Sequence, residues 1–329
     1  MRTKYFITSL LFFTVFIVNA QIDIVTADAD SESGIKSNTK QINITNDLYF
    51  LQGDEENIGV YLDKEGVLLI DTQSKEEMSR SIRLINRLSK KKPIYYLVNT
   101  TGQIKYMKSY LDLKKDGTII LSYQPNYSKE DEYKLKGSSS SVSDITYSNE
   151  IALNLINEKV KLIPANNSGS SIVYFTNRNV LFSGDVFLGR VYPLIDAEKG
   201  KSYEDVALAL SKIIKTIDNK TKIIPGKGDI TNLTDASSTK QMIWTIYKQV
   251  YSLRENGKTL EQTLATNMCR NYDTQGYGNG TVTSKMFITS IYNEAAKELG
   301  PLDTRTPEEK AMERLKEMQK EKKQKENKN

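Results

Sequence analysis

The chain contains no histidine at all, and that absence removes two common catalytic devices at once. A Ser-His-Asp relay needs an imidazole to carry the proton, and catalytic zinc sites draw heavily on imidazole nitrogens. Cysteine is nearly absent too. Cys269 stands alone, so it closes no internal disulfide and builds no thiolate metal site by itself. It reads as a small buried apolar residue. Long hydrophobic runs are missing beyond residues 7–18, a stretch too short to span a bilayer comfortably. The formal charge is +5, but Lys, Arg, Asp and Glu are interleaved along most of the chain. No basic stripe with interleaved aromatics marks a nucleic-acid surface, and the lysine excess serves solubility.

What the sequence does contain begins with an export signature. Arg2 and Lys4 precede the apolar run, which ends in Val18-Asn19-Ala20 before Gln21. This is the pattern of a signal peptide, residues 1–20, cleaved after Ala20. No cysteine follows the run, so a lipid anchor is not expected. The expectation is an exported protein, free in the periplasm or the medium, with no transmembrane segment after cleavage. At 329 residues the chain suffices for one large domain or two small ones of about 150 residues each.

Residues 21–43, rich in Asp, Ser, Thr and Asn, read as a flexible leader. From residue 44 the texture changes to short β-type runs at 47–52, 57–62 and 66–71, a meander of three strands. Residues 75–90 carry Met78, Ile82, Ile85 and Leu88 at helical spacing, followed by Pro93 and an apolar strand at 94–98. A second helix at 104–113 and a strand at 118–122 repeat the unit. Residues 127–143 form a polar, serine-rich loop. Four more β-type runs, at 151–155, 160–163, 171–175 and 180–182, lead into a helix at 203–217 and a strand at 222–224. Strands in series followed by βα units, twice over, predict two sheets packed face to face with helices outside. Residues 236–306 read as a helical extension. The tail, 307–329, reads as a Lys/Glu-rich helix whose only apolar residues, Ala311, Met312, Leu315 and Met318, make a narrow, solvated stripe.

In α/β proteins function collects on loops that follow apolar strands. Here those are Asn99-Thr100-Thr101-Gly102-Gln103-Ile104-Lys105-Tyr106, the turn after Pro164-Ala165, Ser183-Gly184-Asp185, and Ile224-Pro225-Gly226-Lys227-Gly228. Together with Gly66-Val67-Leu68-Leu69-Ile70-Asp71-Thr72, these phrases and the order of elements resemble the metallo-β-lactamase-fold superfamily of hydrolases over residues 44–235. The resemblance implies a four-layer αββα sandwich. It also implies a His-x-His-x-Asp-His zinc motif after Asn-Thr, a histidine after Pro-Ala, a bridging aspartate after Gly, and a histidine after Pro-Gly.

Carried onto this sequence, the two first histidine positions hold Thr101 and Gln103, the aspartate position Lys105 and the third histidine position Tyr106. The later histidine positions hold Asn166 and Lys227, and only Asp185 keeps its family identity. One carboxylate beside two lysines does not make a zinc site. No metal and no other cofactor is expected.

Three readings follow. Lys227, with Lys105, neutralises Asp185 as a purely structural ion pair, or Thr101, Gln103, Lys105, Tyr106, Asn166, Asp185 and Lys227 line a pocket for a small polar or anionic molecule in an exported pseudoenzyme. Alternatively, Lys227 or Lys105 acts as base or nucleophile with Tyr106 as acid, in a metal-independent hydrolase. A protein partner bound through the C-terminal helices is a separate possibility. Two other features carry less. Gly276-Tyr277-Gly278-Asn279-Gly280 follows no apolar strand and reads as a linker, and Trp244, Tyr247 and Tyr251 share a helical stripe that reads as core.

Overall fold

The computed structural model describes residues 24–25, 39–101, 106–124, 143–196, 201–302, 305 and 307–326. The serine-rich loop lies largely outside them, as does most of the leader. Eight strands form the first sheet in chain order: β1 (Ile24–Val25), β2 (Lys40–Asn43), β3 (Leu48–Gln52), β4 (Asn57–Leu62), β5 (Val67–Ile70), β6 (Ile94–Asn99), β7 (Ile119–Tyr123) and β8 (Ile145–Tyr147). Neighbours from β1 to β5 are antiparallel. From β5 to β8 they are parallel, because helices α1 (Lys75–Ser89) and α2 (Met107–Lys115) return the chain between β5 and β6 and between β6 and β7. The leader reading overshoots its end: β2 pairs with β3, and its Ile42 is buried. The alternation Gln41-Ile42-Asn43-Ile44 spans only two apolar residues, too short a run to set the strand apart from the polar leader.

The second sheet has the order β13-β12-β11-β10-β9, built from β9 (Ile151–Leu155), β10 (Glu158–Pro164), β11 (Ser171–Phe175), β12 (Val180–Gly184) and β13 (Lys222–Pro225). Helix α3 (Tyr203–Thr216) is the crossover that makes β13 parallel to β12. After β13 come α4 (Leu233–Glu255), α5 (Leu260–Leu264), α6 (Arg270–Asp273), α7 (Ser284–Leu299) and α8 (Pro307–Glu326). Side-chain oxygens of Ser74, Ser202, Asn232 and Thr283 cap the first turns of α1, α3, α4 and α7.

Strand alternation sorts the buried side chains into three layers. Phe50, Tyr61, Leu68 and Val98 of the first sheet meet Leu162, Phe175, Phe182 and Ile224 of the second, with the Phe175 ring 5.5 Å from Tyr61 and 5.7 Å from Phe182. The opposite residues of the first sheet, such as Leu51, Val60 and Leu69, pack on Met78 and Ile85 of α1 and Tyr110 of α2. Those of the second, such as Ile163, Leu181 and Ile223, pack on Leu210 of α3, Ile243 of α4 and Phe287 of α7. Each such aliphatic or phenylalanine side chain contributes about 1.5–3 kcal/mol by leaving water. The result is an αββα sandwich whose C-terminal helices share the outer core of the second sheet.

The two ends of the sandwich are held differently. At the end where β3 begins and β12 begins, Arg178 is 2.7 Å from Glu158 and 2.8 Å from Asp47 and lies 4.9 Å over the Tyr61 ring. The candidate site lies at the other end, where β3 and β12 finish.

Candidate functional site

Hydrogen bonds between loop backbones build this end. Asp71 follows β5 with φ 61, a left-handed conformation that Asp tolerates better than most residues. Its Oδ1 accepts from the Thr100 amide at 2.8 Å and its Oδ2 from the Thr100 hydroxyl at 2.6 Å. Burial pushes the Asp71 carboxyl up, the two Thr100 hydrogen bonds pull it down, and the nearby Asp185 charge raises it again; the outcome is about 7. The Thr100 carbonyl accepts from the Ser171 amide at 2.8 Å, which joins the two sheets. Gly184 passes Thr100 with φ 51 so closely that a Cβ there would lie 2.0 Å from the Thr100 hydroxyl. On the far side of the gap, the Asn57 amide donates to the Gly226 carbonyl at 2.7 Å, and Asn57 Nδ2 donates to the carbonyls of Pro225 and Gly228 at 2.9 and 2.8 Å.

These loops open onto a cavity of about 450 Å³. Asn166, Asp185 and Lys227 line it, so the fold does bring these three predicted residues together. Asn166 is buried, and its carboxamide oxygen accepts from the amides of Ser168 and Ser170 at 3.2 and 3.0 Å, which occupies that atom in shaping its own turn. Asp185 is half-buried and Lys227 exposed.

Thr101 and Tyr106 are not on the cavity wall. The Thr101 carbonyl accepts from Asn99 Nδ2 at 2.6 Å, while the Tyr106 hydroxyl donates to Glu55 Oε2 at 2.5 Å from the start of α2. Burial and then that Glu55 carboxylate hold the Tyr106 phenol well above its ordinary value of 10, which makes it a poor proton donor at neutral pH. Gln103 and Lys105 lie outside the described residues.

No protein-family model and no curated protein sequence matches the chain. Solved structures do. A stereoselective inverting sec-alkylsulfatase from Pseudomonas sp. superposes with a TM-score of 0.61 at 13% identity, over 77% of this chain and 50% of that one. A metallo-β-lactamase family protein from Thermus thermophilus gives 0.53 at 12% identity, over 74% and 89%. A metallo-β-lactamase from Pontibacter korlensis gives 0.50 at 14%, over 68% and 99%. The chain has the metallo-β-lactamase fold. It spans half the length of the alkylsulfatase.

The metallo-β-lactamase fold implies zinc, and the residues present do not fit it. No group of three or more His, Cys, Asp or Glu side chains is placed to hold a metal ion among the described residues. Asp185, the carboxylate that the sequence resemblance put at a ligand position, lines a cavity shared with Lys227. An ammonium group cannot act as a ligand while charged, and it repels a cation. No step through a metal follows from this donor set.

The structure corrects several expectations. Asp185 and Lys227 make no ion pair with each other, so that part of the structural ion pair expected from the sequence does not form; its other expected member, Lys105, lies outside the described residues. Lys227 is exposed on the loop after Pro225, while Asp185 lies against the Gly226 backbone. The glycine-rich stretch is no linker, because Tyr277 is 1% exposed and its carbonyl accepts from the Tyr192 amide at 3.0 Å, with ring centroids 5.9 Å apart. Trp244 is 47% exposed and not core; the buried stripe of α4 runs instead through Ala236, Met242, Ile243, Ile246 and Val250, about one residue's rotation away. Tyr247 does stack on Tyr203 at 3.7 Å. The tail stripe is solvated as read, with Met312, Leu315 and Met318 all exposed.

Most of the cavity wall was missed. Phe187, Leu188, Val191 and Leu194 come from the segment after β12, with Leu210 of α3 and Ile243 of α4 behind them. The apolar string Val186-Phe187-Leu188, directly after Asp185, was the available signal. It has neither strand nor helix periodicity, so it went unassigned.

Proposed function

We propose that this is an exported, non-hydrolytic member of the metallo-β-lactamase-fold group that binds a small molecule in the cavity beside the former zinc positions. One observation carries the reading. The loops that bear those positions are interlocked through Asp71, Thr100, Gly184 and Asn57, while among the described residues no group of His, Cys, Asp or Glu is placed to hold a metal ion. The cavity they border has the size of ordinary small-molecule sites and is mostly apolar with a few polar groups at one end.

The metal-independent hydrolase is the weaker reading because its acid, Tyr106, is turned to Glu55 and holds its proton too tightly. The export half of the proposal rests on residues 1–20, outside the described residues, and no helix among the described residues is long and apolar enough to cross a membrane.

Zinc titration of the purified mature protein by calorimetry, alongside elemental analysis, tests the first part. The expected result is no stoichiometric zinc and no rise in melting temperature on adding it. One firmly bound zinc, or turnover of ester or lactam substrates lost in Lys227→Met, would overturn it.

A further inference from the structure

Resting on the binding reading above, we infer that the cavity takes an amphipathic cation: an amine carried on an apolar chain or ring. Two independent observations on the same cavity lead there. Its body is hydrophobic, with Phe187, Leu188, Val191, Leu210 and Ile243 on its wall, which suits an apolar portion of a ligand and gives no handle to a small inorganic ion. Among the described residues its charged groups are Glu55, Glu56, Asp185 and Asp205 against Lys201 and Lys227, an excess of carboxylate. Asp71, behind Asp185, adds to the same sign when ionised. An anionic head would enter against this field, and an ammonium head with it.

The carboxylates are not equivalent. Glu55 is occupied by the Tyr106 hydroxyl at 2.5 Å, and Asp205 accepts from the Asn167 amide at 3.2 Å and the Ser202 hydroxyl at 3.0 Å at the start of α3. Asp185 accepts no hydrogen bond and makes no ion pair among the described residues, although it is half-buried on the cavity wall. A charged acceptor in that setting gains most from a ligand that brings its own donors. The ammonium head therefore sits at Asp185 beside Asn166, and the apolar portion runs along the segment after β12 towards α3 and α4. Lys227, exposed at the rim, stays in solvent.

The test is calorimetry of the full mature protein with n-alkylamines from hexylamine to decylamine and with n-alkanoates of the same lengths, at neutral pH and low salt. The expected result is amine binding that tightens roughly fourfold per methylene, the equivalent of burying each one. Amines should exceed alkanoates of equal length by about tenfold or more. Asp185→Asn should weaken the amines by about tenfold and leave the alkanoates unchanged or tighter. Leu194→Ser should flatten the chain-length dependence, and because Leu194 is 46% exposed on the cavity wall, that variant carries little folding risk.

Alkanoates binding as tightly as amines would overturn the head-group assignment and leave a binding cavity in place. A flat chain-length series with either head would overturn the amphiphile, as would absence of binding across both series. The non-hydrolytic reading fails by a different readout, bound zinc or turnover, so the two failures are distinguishable.

Discussion

At one end of the sandwich charges are paired, and at the other they are left apart. Arg178, with its side chain 13% exposed, bridges Asp47 of the first sheet and Glu158 of the second, whose side chain is 0% exposed. At the site end Asp185 and Lys227 share a cavity and make no ion pair. A buried charge without a partner is destabilising, so the paired end is what folding alone selects. The unpaired end is held together without an Asp185–Lys227 ion pair, by the Asp71–Thr100 hydrogen bonds and the Asn57 amide. That separation means the loops of the site end hold their geometry without an ion pair between Asp185 and Lys227.

The contrast can be broken by substitution. Arg178→Met should be the most damaging change, destabilising by about 3–5 kcal/mol in urea unfolding, because it strands the Glu158 carboxylate in the interior. Gly184→Ala comes next, at about 3 kcal/mol or more: it combines a left-handed backbone with a Cβ 2.0 Å from the Thr100 hydroxyl. A mild effect of Gly184→Ala would mean the site end is looser than its hydrogen bonds imply.

Asp71 gives a graded test. Its carboxyl is raised to about 7 in the folded protein from an ordinary 3.8, so the native state binds more protons than the unfolded state between those values. Stability should therefore fall as pH rises from about 4 to about 7, with a slope of at most about 1.4 kcal/mol per pH unit for one proton. Asp71→Asn should flatten that limb, and Asp185→Asn should move it to lower pH, because the Asp185 charge is one of the causes that raise the Asp71 carboxyl; an unmoved limb would mean the two carboxylates do not interact. Smallest of all, Asp185→Asn and Lys227→Met should each change stability by under about 1 kcal/mol and couple by under about 0.5 kcal/mol in a double-mutant cycle. Strong coupling would restore the structural ion pair.

Much of the fold was legible because its signals are local. Met78, Ile85 and Pro93 mark α1 and its end, and the alternating or continuous apolar runs mark β3 to β7 and β9 to β13. β2 was not legible, since Lys40-Gln41-Ile42-Asn43 becomes a strand only by pairing with β3. The Trp244 stripe misled for a related reason: helical spacing says which residues share a face, and packing against α3, α7 and the second sheet says which face turns inward.

The site divides the same way. The sequence by itself determined which chemistry is missing, because a histidine absent from the chain is absent from every fold it could adopt. It also supplied Asn166, Asp185 and Lys227 as neighbours through their place in recognisable loops. Only the tertiary structure decided that Asp185 and Lys227 stay apart, that Tyr106 turns to Glu55, and that an apolar wall from α3, α4 and the segment after β12 stands over them. Those are distances between groups far apart in the chain, and they are set by how two sheets and their covering helices pack.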